Sequence, residues 1–209
     1  MNLLDIEGKP LTPEAIRMLN YLRTRSEELG NDGIRARVKA AADELEGVVA
    51  QVVESERNAR PVAGKWTIAE VVDHIAQTQI RSAEELRHLF KGRRPPGPPV
   101  YEALRTGAPG WAPWQELVDG LHSANRELID LLGQAPDLGD GAEGREAPKV
   151  LTILVVMRAL EGGGTGPQII FIDLDWRQYA ILQRLHLLDH RTQIRKLRAS
   201  LAALSTSPS

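Results

Sequence analysis

The sequence predicts an all-α protein: an up-and-down four-helix bundle with an extra N-terminal helix and a small β-hairpin inserted at about 150–173. Three observations carry that reading. Several long segments repeat their apolar residues at steps of three and four, the period of one helix face. Proline and capping residues open these segments and glycine closes them, so helix boundaries are marked in the chain itself. One window, between Val150 and Ile172, abandons that period for β-branched residues around a glycine cluster.

The first helix is expected from Leu11 to Leu29, with Thr12 as N-cap, Pro13 at the first helical position and Gly30-Asn-Asp-Gly33 as its stop. Residues 1–33 are read as an N-terminal helical extension, and 34–204 as the bundle. The period resumes from Ile34 to about Glu56 through Val38, Ala41, Leu45, Val48, Val49, Val52 and Val53. Thr67-Ile-Ala-Glu70 then has the form of a capping box, in which a threonine hydroxyl and a glutamate carboxylate satisfy each other's backbone amides. The helix it opens should run to about Phe90. From Lys91 to Pro113 lie six of the thirteen prolines and four glycines, too many for a regular element. Trp114 to about Leu132 is the next helix, with Leu117, Leu121, Leu128 and Leu131 facing inward; Asp137 to Ala147 is an acidic, glycine-rich loop. Strands at about Leu151–Leu160 and Pro167–Asp173 should pair across Gly162-Gly-Gly-Thr-Gly166. The first of these runs could equally be a buried helix by its pattern alone. Asp173 or Asp175 caps the last helix, Trp176 to Ala203, and Ser205 to Ser209 is a frayed tail.

Bulk properties exclude several classes of function. At 209 residues, 42% hydrophobic and 26% charged, the chain has the profile of one globular domain with a real core. A formal charge of -2 gives no footprint for nucleic acid or an anionic membrane. The longest apolar run, Val150 to Met157, is too short to span a bilayer, and Met1-Asn-Leu-Leu-Asp5 does not begin like a signal peptide, so a cytoplasmic protein is expected. There is no cysteine, hence no disulfide, thiolate nucleophile or thiolate-held zinc. A metal would have to rest on His, Asp, Glu and water.

Such a site is suggested by His186-Leu-Leu-Asp-His190 in the last helix. Tyr179, Leu182, His186, His190, Ile194, Leu197 and Leu201 share one helical face, apolar except for the two histidines and Gln193. Side chains four apart stand one above the other, about 6 Å between Cβ atoms, close enough for two imidazoles to share an ion at about 2.0–2.1 Å. His74, at the edge of the apolar stripe of its own helix, is the third candidate. On spacing alone, a metal and three separately hydrogen-bonded core-edge histidines are equally good readings. Gln193 could orient a ligand or simply pack. Asp189, three positions after His186, is better read as an exposed helix acid than as a carboxylate behind an imidazole. Glu70 is explained by its cap, and Asp73 points away from the side of His74. His122 and His88 read as a core-edge and a helix-end histidine, and Lys91-Gly-Arg93-Arg94 as a solvated charge run. Gly162 to Gly166 is no phosphate loop, because no Lys-Ser/Thr follows it into a helix.

Taken together, Trp66-Thr-Ile-Ala-Glu-Val-Val-Asp-His74, the Pro/Gly loop and His186-x3-His190-x2-Gln193-Ile194 resemble the DinB-like superfamily over roughly residues 34 to 203. The resemblance implies a bacterial four-helix bundle holding one divalent metal, zinc or nickel, through His74, His186 and His190. It also implies either thiol-dependent transferase or isomerase chemistry, with a low-molecular-weight thiol supplied from outside the chain, or metal-dependent hydrolysis. No second catalytic group can be named. The alternative is a non-catalytic metal-binding or dimerising module, and a homodimer is expected in either case. The first helix and the hairpin depart from the family's simplest form.

Overall fold

A computed structural model describes residues 5, 7–99, 113–137, 147–159 and 163–206. Six helices and one antiparallel pair of strands are found among them: α1 (Pro13–Glu28), α2 (Asn31–Val49), α3 (Glu54–Arg57), α4 (Ile68–Phe90), α5 (Trp114–Leu132), β1 (Val150–Ala159), β2 (Thr165–Leu174) and α6 (Trp176–Thr206). The all-α bundle and its hairpin insertion are therefore both present. None of these helices is long and apolar enough to cross a membrane.

The capping signals act as written. Thr67 Oγ1 accepts from the Glu70 amide at 3.2 Å, and the Thr67 amide donates to Glu70 Oε2 at 2.6 Å. Arg60 adds two bonds to the same carboxylate, tying the preceding loop to the start of α4. Thr67→Ala should cost about 1 kcal/mol of stability, visible as a lower urea midpoint with an unchanged slope. At α6 the cap is Asp175, whose Oδ1 accepts from the amides of Arg177 and Gln178, both at 2.9 Å.

Where boundaries differ from expectation, tertiary contacts decide them. Gly33 lies inside α2, because Asn31 opens that helix while its side chain donates to the Ala135 and Pro136 carbonyls after α5. The second helix stops at Val49 instead of running to Glu56. Glu56 instead closes a separate turn, accepting from the Val53 amide and from Arg198 of α6. The last helix continues three residues past Ala203, to Thr206, so only the end of the expected tail lies beyond it. The loop expectations fall mostly on 100–112 and 138–146, outside the described residues; 91–99 form no regular element.

Four helices close a ring in which α2 touches α5 and α6, and α4 touches the same two. Side-chain pairs fix their directions. Asn31 meets Arg177 and Gln51 meets Arg198, so α2 and α6 run parallel. Arg35 meets the Ile129 carbonyl and Glu46 meets Asn125, so α2 and α5 oppose. His74 lies beside His186 and Glu85 beside Tyr179, so α4 and α6 oppose as well. The directions are thus up, down, down and up: the expected four-helix bundle forms, but the expected up-and-down alternation is broken between α4 and α5. Successive α4 and α5 point the same way, so the end of α4 and the start of α5 lie about a helix length apart, roughly 30 Å.

The core is continuous, running from Leu45, Ile68, Ile75 and Leu86 through Leu121 and Leu128 to Leu187 and Ile194, all at most 1% exposed. α1 joins it through Ala15 and Leu22 and packs against α6 and β1. The hairpin register pairs Val150 with Leu174 and Ala159 with Thr165. One face buries Leu154, Val156, Gln168, Ile170 and Ile172. Gln168 accepts from the Thr12 amide and donates to Asp5 and the Pro10 carbonyl, which fastens the segment before α1 to the sheet. The other face, with Leu151, Ile153, Val155 and Met157, stays largely open.

Candidate metal centre

Antiparallel packing of α4 on α6 brings together histidines that lie 112 residues apart in the chain. His74 comes from the second turn of α4, and His186 and His190 from consecutive turns of α6. His74 Nε2 lies 3.1 Å from His186 Nε2, and His190 Nε2 lies 2.9 Å from the same atom. The three imidazoles offer nitrogens that are all within 4.8 Å of one another, and the ring planes stand nearly perpendicular. His74 and His190 are each 9% exposed and His186 is half-buried. Trp66 closes the outer side, edge-on to His74 at 5.0 Å and stacked over His190 at 6.4 Å between centroids.

The donor set fits a divalent cation. Two nitrogens bound to one ion at about 2.1 Å must lie less than about 4.2 Å apart, and both measured separations satisfy that. A single ring nitrogen carries one proton or one lone pair, so His186 Nε2 cannot make two well-directed hydrogen bonds to its neighbours. A cation between the rings would let all three lone pairs point inward. The tautomer of His190 is already set for this. Its Nδ1 lies 2.7 Å from Gln193 Oε1, an acceptor, so Nδ1 holds the proton and Nε2 is bare. Burial pushes the His186 imidazolium well below its ordinary range, and the neighbouring charges of His190 and His74 push it further. His190 is lowered by burial too, against the Gln193 carbonyl and Asp189, which favour its charged form. Both rings are thus neutral near pH 7, the form that ligates. His186 Nδ1 is buried without a hydrogen-bond partner, so the polar contacts of this ring are made through Nε2.

The remaining candidates contribute no converging donor, although Asp189 borders the same cavity. Asp189 is exposed, Glu70 is occupied at its cap, and Asp73 is buried beside the site in sequence but is not among the grouped donors. His122 pairs loosely with Glu46 of α2 at 3.7 Å and is not among the grouped donors. Arg94 meets Asp173 at 2.9 Å, and Lys91 and Arg93 border a shallow recess with His88.

The histidines form one end of a cavity of about 770 Å³ that opens between α4, α6 and β1. Its hairpin wall, from Leu151 to Met157, is apolar apart from Thr152. Its helical wall carries Arg81, Ser82, Glu85, Tyr179 and Gln183, none of which the motif analysis singled out as polar site residues. A signal was present: on α4, Thr78, Arg81, Ser82 and Glu85 continue the face of His74 at helical spacing.

A family model for the DinB superfamily matches residues 37–160, a span that includes His74 and ends before His186 and His190. Among solved structures, the mycothiol-dependent maleylpyruvate isomerase aligns with a TM-score of 0.54 at 14% identity, covering 81% of this chain and 62% of that one. A variant of that isomerase with one histidine changed to alanine aligns with a TM-score of 0.55 at 13% identity and the same coverage. A candidate DinB-family member from Exiguobacterium sibiricum aligns at 16% identity with a TM-score of 0.47, over 82% of this chain and 91% of that one. The chain therefore spans less than two thirds of the isomerase, and at these identities the likeness is one of fold. No curated protein matches the sequence.

Proposed function

The chain belongs to the DinB superfamily, and on that premise we propose that it is a divalent-metal protein acting on a small molecule through His74, His186 and His190. The observation that carries this is the convergence of three imidazole nitrogens on the wall of an open cavity. Histidines that served only packing would satisfy themselves locally and have no reason to meet. Imidazole ligands suit zinc and nickel alike. When bound, such an ion supplies Lewis acidity, lowering the pKa of a coordinated thiol or water so that a nucleophile exists at neutral pH.

The chain's own residues do the rest. Gln193 holds His190 in the ligating tautomer. Trp66 shields the outer edge of the rings. The hairpin lays an apolar wall opposite the histidines, which keeps bulk water from part of the cavity. With no cysteine in the chain, a thiol nucleophile would come from a small molecule, in line with the thiol dependence of the isomerase of similar fold. An open cavity beside the nitrogens favours this reading over a purely structural metal, whose site would be closed.

Reconstitution with zinc or nickel followed by elemental analysis should give close to one ion per chain. Cobalt-loaded protein should then develop a thiolate-to-metal charge-transfer band on adding a simple thiol. Protein that takes up no metal from either salt would rule the reading out; metal without any thiol or water exchange would leave only a structural site.

A further inference from the structure

The end of the cavity away from the histidines carries a second polar cluster. Arg81 follows His74 by seven residues on α4, and Tyr179 precedes His186 by seven on α6. The cluster therefore lies about 10 Å along the helix axes from the histidine nitrogens. Arg81 Nε donates to Glu85 Oε1 at 2.7 Å, and the Tyr179 hydroxyl donates to Glu85 Oε2. Ser82 Oγ stands 3.1 Å from Tyr179 Oη. Ser82, Tyr179 and Glu85 are 0%, 3% and 9% exposed, so the carboxylate is clamped on both oxygens in a nearly dry setting. Burial, and then the Glu85 charge, raise the Tyr179 phenol well above its ordinary range, which keeps it a donor.

Arg81 itself lines the cavity with its side chain 32% exposed. Among the described residues its partner is Glu85, through Nε alone. The far edge of the guanidinium, with both terminal nitrogens, is left for a guest. A planar fork anchored at Nε is suited to a carboxylate, which its terminal nitrogens can meet with two parallel bonds. Midway between the clusters, Gln183 is 5% exposed and its Oε1 has no hydrogen-bond partner. Across from these groups, β1 offers only apolar side chains and Thr152.

We infer that the cavity takes an elongated small molecule whose carboxylate is gripped by Arg81, about 10 Å from the end that meets the histidines, with an apolar middle lying against β1. Arg81 is then the specificity-determining residue, and Glu85, Tyr179 and Ser82 position it. The inference rests on the small-molecule reading of this cavity given above.

The ω-mercapto acid mercaptooctanoate and the matching alcohol, mercaptooctanol, test it. Extended, the acid spans about 10 Å from sulfur to carboxyl carbon at standard bond lengths. In cobalt-loaded protein the charge-transfer band reports binding of the thiol end. The acid should bind about tenfold more tightly than the alcohol. Arg81→Gln should abolish that preference, Arg81→Lys should keep part of it, and Tyr179→Phe should reduce it. An unchanged far-ultraviolet helical signal certifies that each variant is folded. Equal binding of acid and alcohol to the wild type would overturn the inference and leave the metal reading standing. Calorimetry with octanoate on metal-free protein separates the other failure. Binding that is lost in Arg81→Gln supports the carboxylate subsite even if no cobalt is taken up, whereas Arg81-independent binding overturns it.

Discussion

Replacing His190 with alanine is expected to remove most of the bound divalent metal while the far-ultraviolet helical signal stays near that of the parent. His190 supplies one of the three converging nitrogens, and its Nε2 is the one whose tautomer the chain fixes. A two-histidine remnant on a half-open cavity holds a divalent ion far less well, and the loss should be at least about 100-fold in affinity, beyond the 10–100-fold typical when only a supporting residue is changed. Gln193→Leu provides that smaller case. It takes away the acceptor at 2.7 Å from Nδ1 without touching a nitrogen that faces the cluster. Competition with a chromophoric chelator measures both variants on one scale. Retention of full metal affinity by His190→Ala would mean that the cluster is not the site. An equal loss in both variants would mean that the ring's orientation, more than the nitrogen itself, is what the ion needs.

The parts of this molecule that were readable from its sequence are those governed by local periodicity. The capping box at Thr67 and Glu70 is a two-residue reciprocity that needs no tertiary partner, and it stands where its spelling places it. The pairing of β1 with β2 follows from β-branched runs on either side of a glycine turn. His186 and His190 share a face because four residues nearly complete a helical turn. That His74 meets them is a different kind of fact. It depends on α4 opposing α6 in the right register, and spacing within one helix says nothing about register between two. The resemblance of motif letters, not periodicity, supplied that link.

What the sequence concealed is explained the same way. Tyr179 sits on the apolar stripe of α6 and counts as core by its neighbours. Only the packed structure shows its hydroxyl reaching Glu85 on another helix. The end of α2 was misplaced because Val52 and Val53 continue an apolar pattern after the backbone has already turned, and the turn is held by Glu56 bonding to Arg198 across the bundle. Helix directions were equally hidden. A long proline-rich connection is compatible with several topologies until the pairs Asn31–Arg177 and Arg35–Ile129 select one.

Metal-free protein is expected to lose stability as the pH falls below about 6.5, the value of an unperturbed histidine. In the fold, His186 is held well below that value, first by burial and then by the two neighbouring imidazoles, and His190 is lowered by burial. Between the unfolded value and these depressed folded values, the unfolded chain binds more protons than the native one. Stability therefore rises with pH across that window and is complete above about 6.5. Each ring that is neutral when folded and charged when unfolded contributes a slope of up to about 1.4 kcal/mol per pH unit, so the two together approach about 2.7. Urea unfolding at a series of pH values measures this, and subtracting the curve of His186→Gln isolates the contribution of the most strongly lowered ring. The parent should weaken more steeply than the variant on acidification. Adding zinc should lift the parent's curve most at neutral pH and least at low pH, because the ion and the proton compete for the same lone pairs. A parent curve that is flat through the window, or that climbs as the pH drops, would show that these rings protonate at least as readily in the folded chain as in the unfolded one.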